Sequence, residues 1–374
     1  MFPSAFSILR KAIDEHAFPA ASVAVTKADR LIALNAFGHP VYETDPEAAQ
    51  PSSLLSVERQ NGDFDVTPAT LFDLASVTKV VATTTMAAIL YERGLLELDA
   101  PLLGTIPEFL VDSCGEPDPR RRNVTVRMLL AHSSGLPAYE KLFLNAHSRD
   151  ELLRAAFTMP LTAEPGTRAE YSDIGFVILG AALEQIAEES VDRFCQREIF
   201  GPLAMTSTTF NPPSALRSQI PPTADDRTFR QRVIQGEVQD ENAFVLGGVA
   251  GHAGLFSTAE DLARFAHAML NGGRPILRPE TVALFTRRES APQSTSRALG
   301  WDTPSVPSQS GKYFSPSSFG HLGYTGTSLW IDPERQLSIT LLTNRTWPDC
   351  SSQAIKQVRP RFHDAVIEAL EKSR

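Results

Sequence analysis

Asp73-Leu74-Ala75-Ser76-Val77-Thr78-Lys79 runs directly into Val80-Val81-Ala82-Thr83-Thr84-Thr85-Met86-Ala87-Ala88-Ile89-Leu90. From Val80 to Tyr91 there is no charge, no Gly and no Pro, and Arg93-Gly94 closes the run with a basic last turn and a terminal glycine. The pattern predicts one helix beginning near Ser76. It is apolar on nearly every face, which places it inside a domain. Ser76 and Lys79, three residues apart, stand one above the other on the same side of such a helix. Burial disfavours a charged ammonium, so Lys79 can offer a neutral amine to the serine's proton. Unpaired N–H groups and the positive dipole end at the helix start favour a developing Ser76 alkoxide. This is the S-x-x-K arrangement of a serine nucleophile with a lysine base. The same four residues would also suit a capping serine beside a snorkelling lysine, and the rest of the chain has to decide between the two.

The chain has 374 residues, 42% hydrophobic and 21% charged, enough for two or more structural units with an ample core. Its formal charge of −9 argues against a nucleic-acid partner, as does the lack of any basic run longer than Arg120-Arg121-Arg122. Near the start, Phe6, Ile8, Leu9 and Ile13 mix with Arg10, Lys11, Asp14 and Glu15, the pattern of an amphipathic surface helix rather than a signal peptide. No run is apolar for long enough to span a membrane. The three cysteines, Cys114, Cys195 and Cys350, are widely spaced and odd in number, which suits a reducing compartment without disulfides. Taking Met1 as the natural start, the expected location is the cytoplasm.

Ala21–Val25 and Leu31–Phe37 read as two strands of a hairpin. Residues 40 to 65 read as a long polar surface loop. From Leu95 to about Phe244 apolar residues recur at helical spacing, in Thr125–Ala131, Asp150–Phe157, Phe176–Ile186 and Val191–Phe200, and convincing strands are missing. Strand signals return in Ser328–Ile331 and Leu337–Thr343, which flank the turn Asp332-Pro333-Glu334-Arg335, and Arg361–Glu371 closes the chain as an amphipathic helix. The expected fold is α/β in the α+β sense, an antiparallel sheet flanked by helices. Residues 1–98 and 245–374 build the sheet domain from both chain ends, residues 99–244 form an inserted helical domain, and the active site lies in the cleft between them.

Two further stretches carry chemistry. Pro165-Gly166-Thr167-Arg168-Ala169-Glu170-Tyr171-Ser172-Asp173 is a turn-rich loop that sets Tyr171 and Asp173 at an exposed helix start, with Ser172-Asp173 also suited to cap it. Ser318-Phe319-Gly320-His321-Leu322-Gly323-Tyr324-Thr325-Gly326-Thr327 puts three glycines beside a strand, where they let backbone approach a ligand or another backbone. Taken singly, each is also consistent with an ordinary turn.

Together the three stretches resemble the serine penicillin-recognising enzymes, most closely the class C β-lactamase-like branch with its esterases, D-amino-acid-specific peptidases and low-molecular-weight penicillin-binding proteins. Ser76-Val77-Thr78-Lys79 matches the first motif, Tyr171-Ser172-Asp173 the Tyr-x-Asn motif, and His321-Leu322-Gly323 the Lys-Thr-Gly motif. Leu129–Leu136 and Phe256–Phe265 look like two further segments of this branch. The resemblance covers about Ala21 to Asn344. It implies that Ser76 forms the acyl-enzyme, that Lys79 and Tyr171 share acid–base work, and that the backbone N–H groups of Ser76 and Tyr324 form the oxyanion hole. Asp173, His321 and Gly323 would contact the substrate.

Three residues depart from the family pattern. Asp173 stands for asparagine, Leu322 for a hydroxyl residue and His321 for lysine. Because the family holds the β-lactam carboxylate with that lysine and hydroxyl, the substitutions imply weak or absent β-lactam hydrolysis and a closer likeness to esterase and amidase members. Asp173 could repel an anionic substrate and hold Lys79 charged.

Asp240–Thr258 joins a polar cluster to the glycine-rich run Gly247-Gly248-Val249-Ala250-Gly251-His252. Asn242 and His252 could line the cleft, although the glycines could equally serve tight packing against the central helix with Asp240 to Asn242 facing water. The run looks like that of cell-wall-recycling members, including an N-acetylmuramyl-L-alanine amidase. The chain has no H-E-x-x-H, no cysteine pair at zinc spacing and no G-x-S-x-G elbow, so neither a metal nor another cofactor is expected. The expected partner is a small ester, amide or muropeptide-like substrate, with no nucleic acid and no membrane, and the oligomeric state is left open. The alternative from another class is a catalytically weak penicillin-binding or cell-wall-fragment sensor protein. The intact set of Ser76, Lys79 and Tyr171 favours turnover.

Overall fold

The computed structural model describes residues 1–42 and 64–372. The surface loop expected over 40–65 falls almost wholly outside the described residues. Ala20–Lys27 (β1) and Arg30–Gly38 (β2) form the expected hairpin, Val23 opposite Asn35, with a register shift between Val25 and Thr26. Five short strands follow: Phe72–Asp73 (β3), Thr209–Phe210 (β4), Ala224–Asp226 (β5), Arg232–Ile234 (β6) and Leu255–Ser257 (β7). Three of them, β4 to β6, correct the expectation that residues 95–244 lack strands. At two or three residues each, they are too short for a period-two pattern to register. Phe319–Leu322 (β8), Ser328–Asp332 (β9) and Leu337–Thr343 (β10) complete the main sheet, which is antiparallel throughout in the order β2-β1-β10-β9-β8. Both chain ends therefore meet in one sheet, Val23 of β1 opposite Leu341 of β10.

Successive residues of β1 point to opposite faces, and each face is covered. Ala21, Val23 and Val25 join Leu9 of the Pro3–Asp14 helix and Phe362 and Val366 of the Ile355–Lys372 helix in one core. Ala20 and Ala24 face a second core with Leu262 and Phe265 of the Ala259–Leu270 helix and Val80 of the central helix. Burial of a side chain such as Phe362 stabilises by roughly 1.5–3 kcal/mol. The C-terminal helix begins at Ile355, six residues before the expected Arg361, and runs through Pro360. Proline leaves the carbonyl four residues back without its donor. Gln309 Nε2 supplies one, at 3.1 Å from the Lys356 oxygen.

The central helix is continuous in course but not uniform. Ala75–Val77 is a tight 3₁₀ turn, Lys79–Thr84 is π-helical and Thr85–Glu92 is α-helical. Thr85 Oγ1 donates to the Val80 oxygen five residues back at 2.8 Å, and Thr83 Oγ1 donates outward to the Gly251 oxygen at 2.6 Å. A π turn of this kind widens the helix where side chains must reach a site. As expected, the helix is buried through its length, from Val80 to Leu90. Among the described residues no helix is long and apolar enough to cross a membrane.

Candidate active site

Strand β3 delivers the chain to Ser76 with its geometry fixed. Asp73 is buried, and its carboxylate accepts the N–H of Ala75 at 2.8 Å and of Gln239 at 2.7 Å. Burial pushes its pKa up to about 6 against the pull of those two bonds. Ala75 then adopts φ 46°, a left-handed conformation unfavourable for an alanine, and turns the chain sharply into the helix that carries Ser76 and Lys79.

Lys79 is fully buried and its Nζ lies within hydrogen-bond distance of three oxygens: Ser76 Oγ at 2.9 Å, Asp173 Oδ1 at 2.5 Å and the His252 carbonyl oxygen at 2.9 Å. Burial lowers its pKa, and Asp173 works in the opposite direction. The Tyr171 hydroxyl donates to Ser76 Oγ at 2.7 Å and lies 3.2 Å from Asp173 Oδ1. Burial, reinforced by Asp173, pushes the phenol well above its ordinary value, so Tyr171 is neutral. Ser172 caps the Asp173–Ala187 helix as anticipated, its Oγ accepting the Gly175 N–H at 2.9 Å while it donates to the Pro137 oxygen at 2.6 Å. Tyr171 is half-buried rather than exposed, and His132 packs against it with ring centres 4.7 Å apart and planes tilted by 39°. His132 Nδ1 accepts the Ser172 N–H at 3.0 Å, and burial drives the imidazole to its neutral form.

The third stretch folds against the first. Thr325 Oγ1 donates to the Asp73 oxygen at 2.8 Å and Thr327 Oγ1 to the Leu74 oxygen at 2.9 Å. A side chain at Gly323 would begin 2.5 Å from that Leu74 oxygen, so glycine is required by backbone meeting backbone. His321 Nδ1 lies 2.8 Å from the Leu322 carbonyl, which can only accept, so Nδ1 carries the proton. Burial, with Lys79 and Arg297 nearby, holds this imidazole neutral. The cation of the family's third motif is thus absent from position 321.

Two candidates from the glycine-rich region separate. His252 lines the cleft, its Nε2 2.8 Å from Asp240 Oδ1 and its carbonyl on Lys79. Asn242 does not: its amide donates to the Glu140 oxygen at 2.8 Å and its Oδ1 accepts the Phe143 N–H at 3.0 Å. That is a correction, since both ends of the side chain are used to hold the 140–143 backbone. Of the glycines expected to pack against the central helix, Gly251 packs instead against the Asp173–Ala187 helix, Gly248 and Gly254 meet Asn211 and the Gly248 carbonyl, and Gly247 has open space beside it. A methyl at Gly251 would stand 2.8 Å from Gly180 Cα and overlap the Phe176 oxygen.

These groups line a cleft of about 630 Å³, Ser76, Tyr171, Asp173, His321, Gly323 and Tyr324 among them. Sequence reasoning missed Arg297, which also lines it, its guanidinium 5.4 Å above the Tyr171 ring and 3.8 Å from Asp302. It also missed the Asp240–His252 pair. Arg297 meets Tyr171 from a segment distant in sequence, and Asp240 and His252, twelve residues apart within one stretch, pair only because the intervening chain folds back.

The family description Beta-lactamase matches residues 6–358. The chain belongs to the beta-lactamase family. It is therefore an enzyme, a hydrolase of the serine β-lactamase family. Within that family, an N-acetylmuramyl-L-alanine amidase of Bacillus subtilis (strain 168) is 32% identical over 358 residues, spanning 88% of this chain and 77% of the relative. A putative D-alanyl-D-alanine carboxypeptidase of Escherichia coli (strain K12) is 33% identical over 306 residues, spanning 75% of this chain and 70% of the relative. Among solved structures, the hydrolase EstCE1, described as having promiscuous acyltransferase activity, superposes with a TM-score of 0.73 at 21% identity over 97% of both chains. The octameric penicillin-binding protein homologue from Pyrococcus abyssi gives 0.70 at 21% identity, over 98% of this chain and 77% of its own. At such identities these two establish the β-lactamase/transpeptidase-like fold alone.

Proposed function

We propose that this chain cleaves an amide or ester bond through an acyl-enzyme on Ser76. The observation that carries the reading is Ser76 Oγ held within hydrogen-bond reach of both Lys79 Nζ and Tyr171 OH in the wall of the cleft. A neutral amine has two N–H groups and one lone pair. With Asp173 Oδ1 and the His252 carbonyl taking the two N–H groups, the lone pair is left for the Ser76 hydroxyl. Lys79 accepts the Ser76 proton as Oγ attacks the carbonyl carbon, and the oxyanion is met by the N–H groups of Ser76 and Tyr324. The neutral Tyr171 phenol donates its proton to the leaving group and recovers one from Lys79 through Asp173 Oδ1, which both touch. Water then repeats the sequence on the acyl-enzyme. Residues 99–244 contribute Tyr139, Tyr171 and Asp240 to the lining and the two chain ends contribute Ser76, His252 and Tyr324, which supports a site shared between a sheet domain and an inserted domain.

A second reading narrows the substrate to a muropeptide, as for an N-acetylmuramyl-L-alanine amidase or a D-amino-acid peptidase. The relatives named above favour it, and so does Arg297, a cation in the cleft that can meet a substrate carboxylate where His321 cannot. Comparing kcat/KM on a short-chain p-nitrophenyl ester and on an N-acetylmuramyl-L-alanyl dipeptide, with Ser76→Ala as blank, separates the possibilities. Serine-dependent release of N-acetylmuramic acid well above the ester rate supports the amidase. Ester turnover alone supports a general esterase-like hydrolase, and no turnover of either points to a binding or sensor protein.

A further inference from the structure

The turn that presents Tyr324 has every carbonyl from Gly323 to Gly326 held from outside. Arg359 Nη2 donates to the Gly323 oxygen at 2.7 Å and Arg359 Nε to the Gly326 oxygen at 3.2 Å. Arg345 Nε donates to the Tyr324 oxygen at 2.7 Å, and its guanidinium carbon lies 4.6 Å from the centre of the Tyr324 ring. The Thr325 oxygen receives the Arg345 N–H at 2.9 Å and Thr343 Oγ1 at 2.8 Å. Both arginines are buried. Isolated turns leave such carbonyls to water, and two buried guanidiniums are a costly substitute.

The cost has a chemical use. The peptide joining Gly323 to Tyr324 is planar, and in a trans peptide the C=O and N–H point in opposite directions. Fixing the Gly323 oxygen on Arg359 therefore fixes the direction of the Tyr324 N–H. A cation on the carbonyl also polarises the peptide and strengthens its N–H as a donor. Among the described residues no carboxylate neutralises Arg359: burial and the neighbouring Arg345 lower its pKa to about 9, and nothing acts against them. A buried, uncompensated positive charge gains most when negative charge develops nearby.

We propose that Arg359, assisted by Arg345, is a positioning residue for the oxyanion hole: it orients and polarises the Gly323–Tyr324 peptide so that the Tyr324 N–H meets the oxyanion formed on Ser76 attack. The proposal rests on the Ser76/Tyr324 reading given above. Arg359 touches no reacting atom and acts through the peptide, so its effect belongs in kcat rather than KM.

The test compares a p-nitrophenyl ester with the matching thionoester, whose C=S sulfur is a poor hydrogen-bond acceptor and gains little from oxyanion-hole donors. Wild type should strongly prefer the ester. In Arg359→Gln, kcat on the ester should fall by about 10²-fold, the scale of losing one such donor. The thionoester rate should change far less, so the preference collapses, and Arg359→Lys should restore part of it. Equal loss on both substrates, or a change confined to KM, would overturn the positioning role while leaving the Ser76 reading intact. A wild type indifferent to the sulfur substitution would instead overturn the oxyanion-hole reading itself. Should Arg359→Gln fail to fold, Arg359→Lys is measured in the same way against wild type: it loses the forked grip on the Gly323 and Gly326 oxygens, and a selective loss on the ester supports the proposal where an equal loss on both substrates, or none, overturns it.

Discussion

Asp173 is where the residue-scale account can be tested most sharply, because a carboxylate stands where the family has asparagine. Its Oδ1 lies 2.5 Å from Lys79 Nζ and raises the lysine pKa against the larger lowering by burial. Activity that needs the neutral amine rises with pH through the Lys79 pKa. Removing the carboxylate lowers that pKa, so Asp173→Asn is expected to move the acid limb of the kcat/KM profile to lower pH. A limb that stays put, or moves up, would take Lys79 out of the base role. Tyr171→Phe keeps the ring on His132 but removes the hydroxyl, and acylation measured by stopped flow should slow by about 10²–10⁴-fold. An undiminished rate would remove Tyr171 from the proton path. Much at this scale was legible in the sequence: Ser76, Lys79, Tyr171 and Asp173 are drawn together as their spacing and order imply. Asn242 was not, because sequence does not say whether a polar side chain turns outward or is used by neighbouring backbone. Arg297 was invisible for the complementary reason, that its contact with Tyr171 exists only once distant segments meet, and the Asp240–His252 pair forms only when the twelve residues between them fold back.

Among the elements, the Asp173–Ala187 helix and the glycine-rich segment cross in close contact near the site. Gly251→Ala would force its methyl against the Phe176 carbonyl oxygen and Gly180 Cα, and would disturb the Gly251 oxygen that takes the Thr83 hydroxyl. Overpacking of this kind typically costs about 1–3 kcal/mol. The variant should melt several degrees below wild type by calorimetry, and an unchanged Tm would show that the crossing can relax. Composition and periodicity located the central helix and the hairpin, since long apolar runs and alternating strands leave a strong signal. The π-helical stretch Lys79–Thr84 left none, because its register depends on where threonine hydroxyls find acceptors. Nor did the early start of the last helix at Ile355, since Pro360 reads as a breaker unless Gln309 is known to serve the Lys356 oxygen.

For the whole molecule, the sheet built from both chain ends makes the Ile355–Lys372 helix part of the catalytic scaffold, with Arg359 reaching the turn before β9 and His363 buried beneath the sheet. His363 Nδ1 bonds to the Ser310 oxygen at 3.0 Å, and burial lowers its pKa from 6.5 to about 3. A histidine held neutral in the fold contributes stability that is present above pH 6.5 and is lost as pH falls from there toward 3. Chemical denaturation at pH 4, 5.5 and 7 should therefore show stability falling with acidity by a few kcal/mol, and His363→Gln should flatten that slope. An identical slope in the variant would assign the acid sensitivity to other groups. Joining of the chain ends was itself foreseeable, because strand signals occur at both ends of the chain.

The most direct test of the central claim is the intact mass of the protein during turnover of a short-chain p-nitrophenyl ester, with the site mapped by peptide analysis and Ser76→Ala run in parallel. The account predicts a burst of one p-nitrophenol per chain, an acyl group on Ser76 that decays at the turnover rate, and neither in the variant. A burst surviving in Ser76→Ala, or an acyl group on another residue, would contradict it.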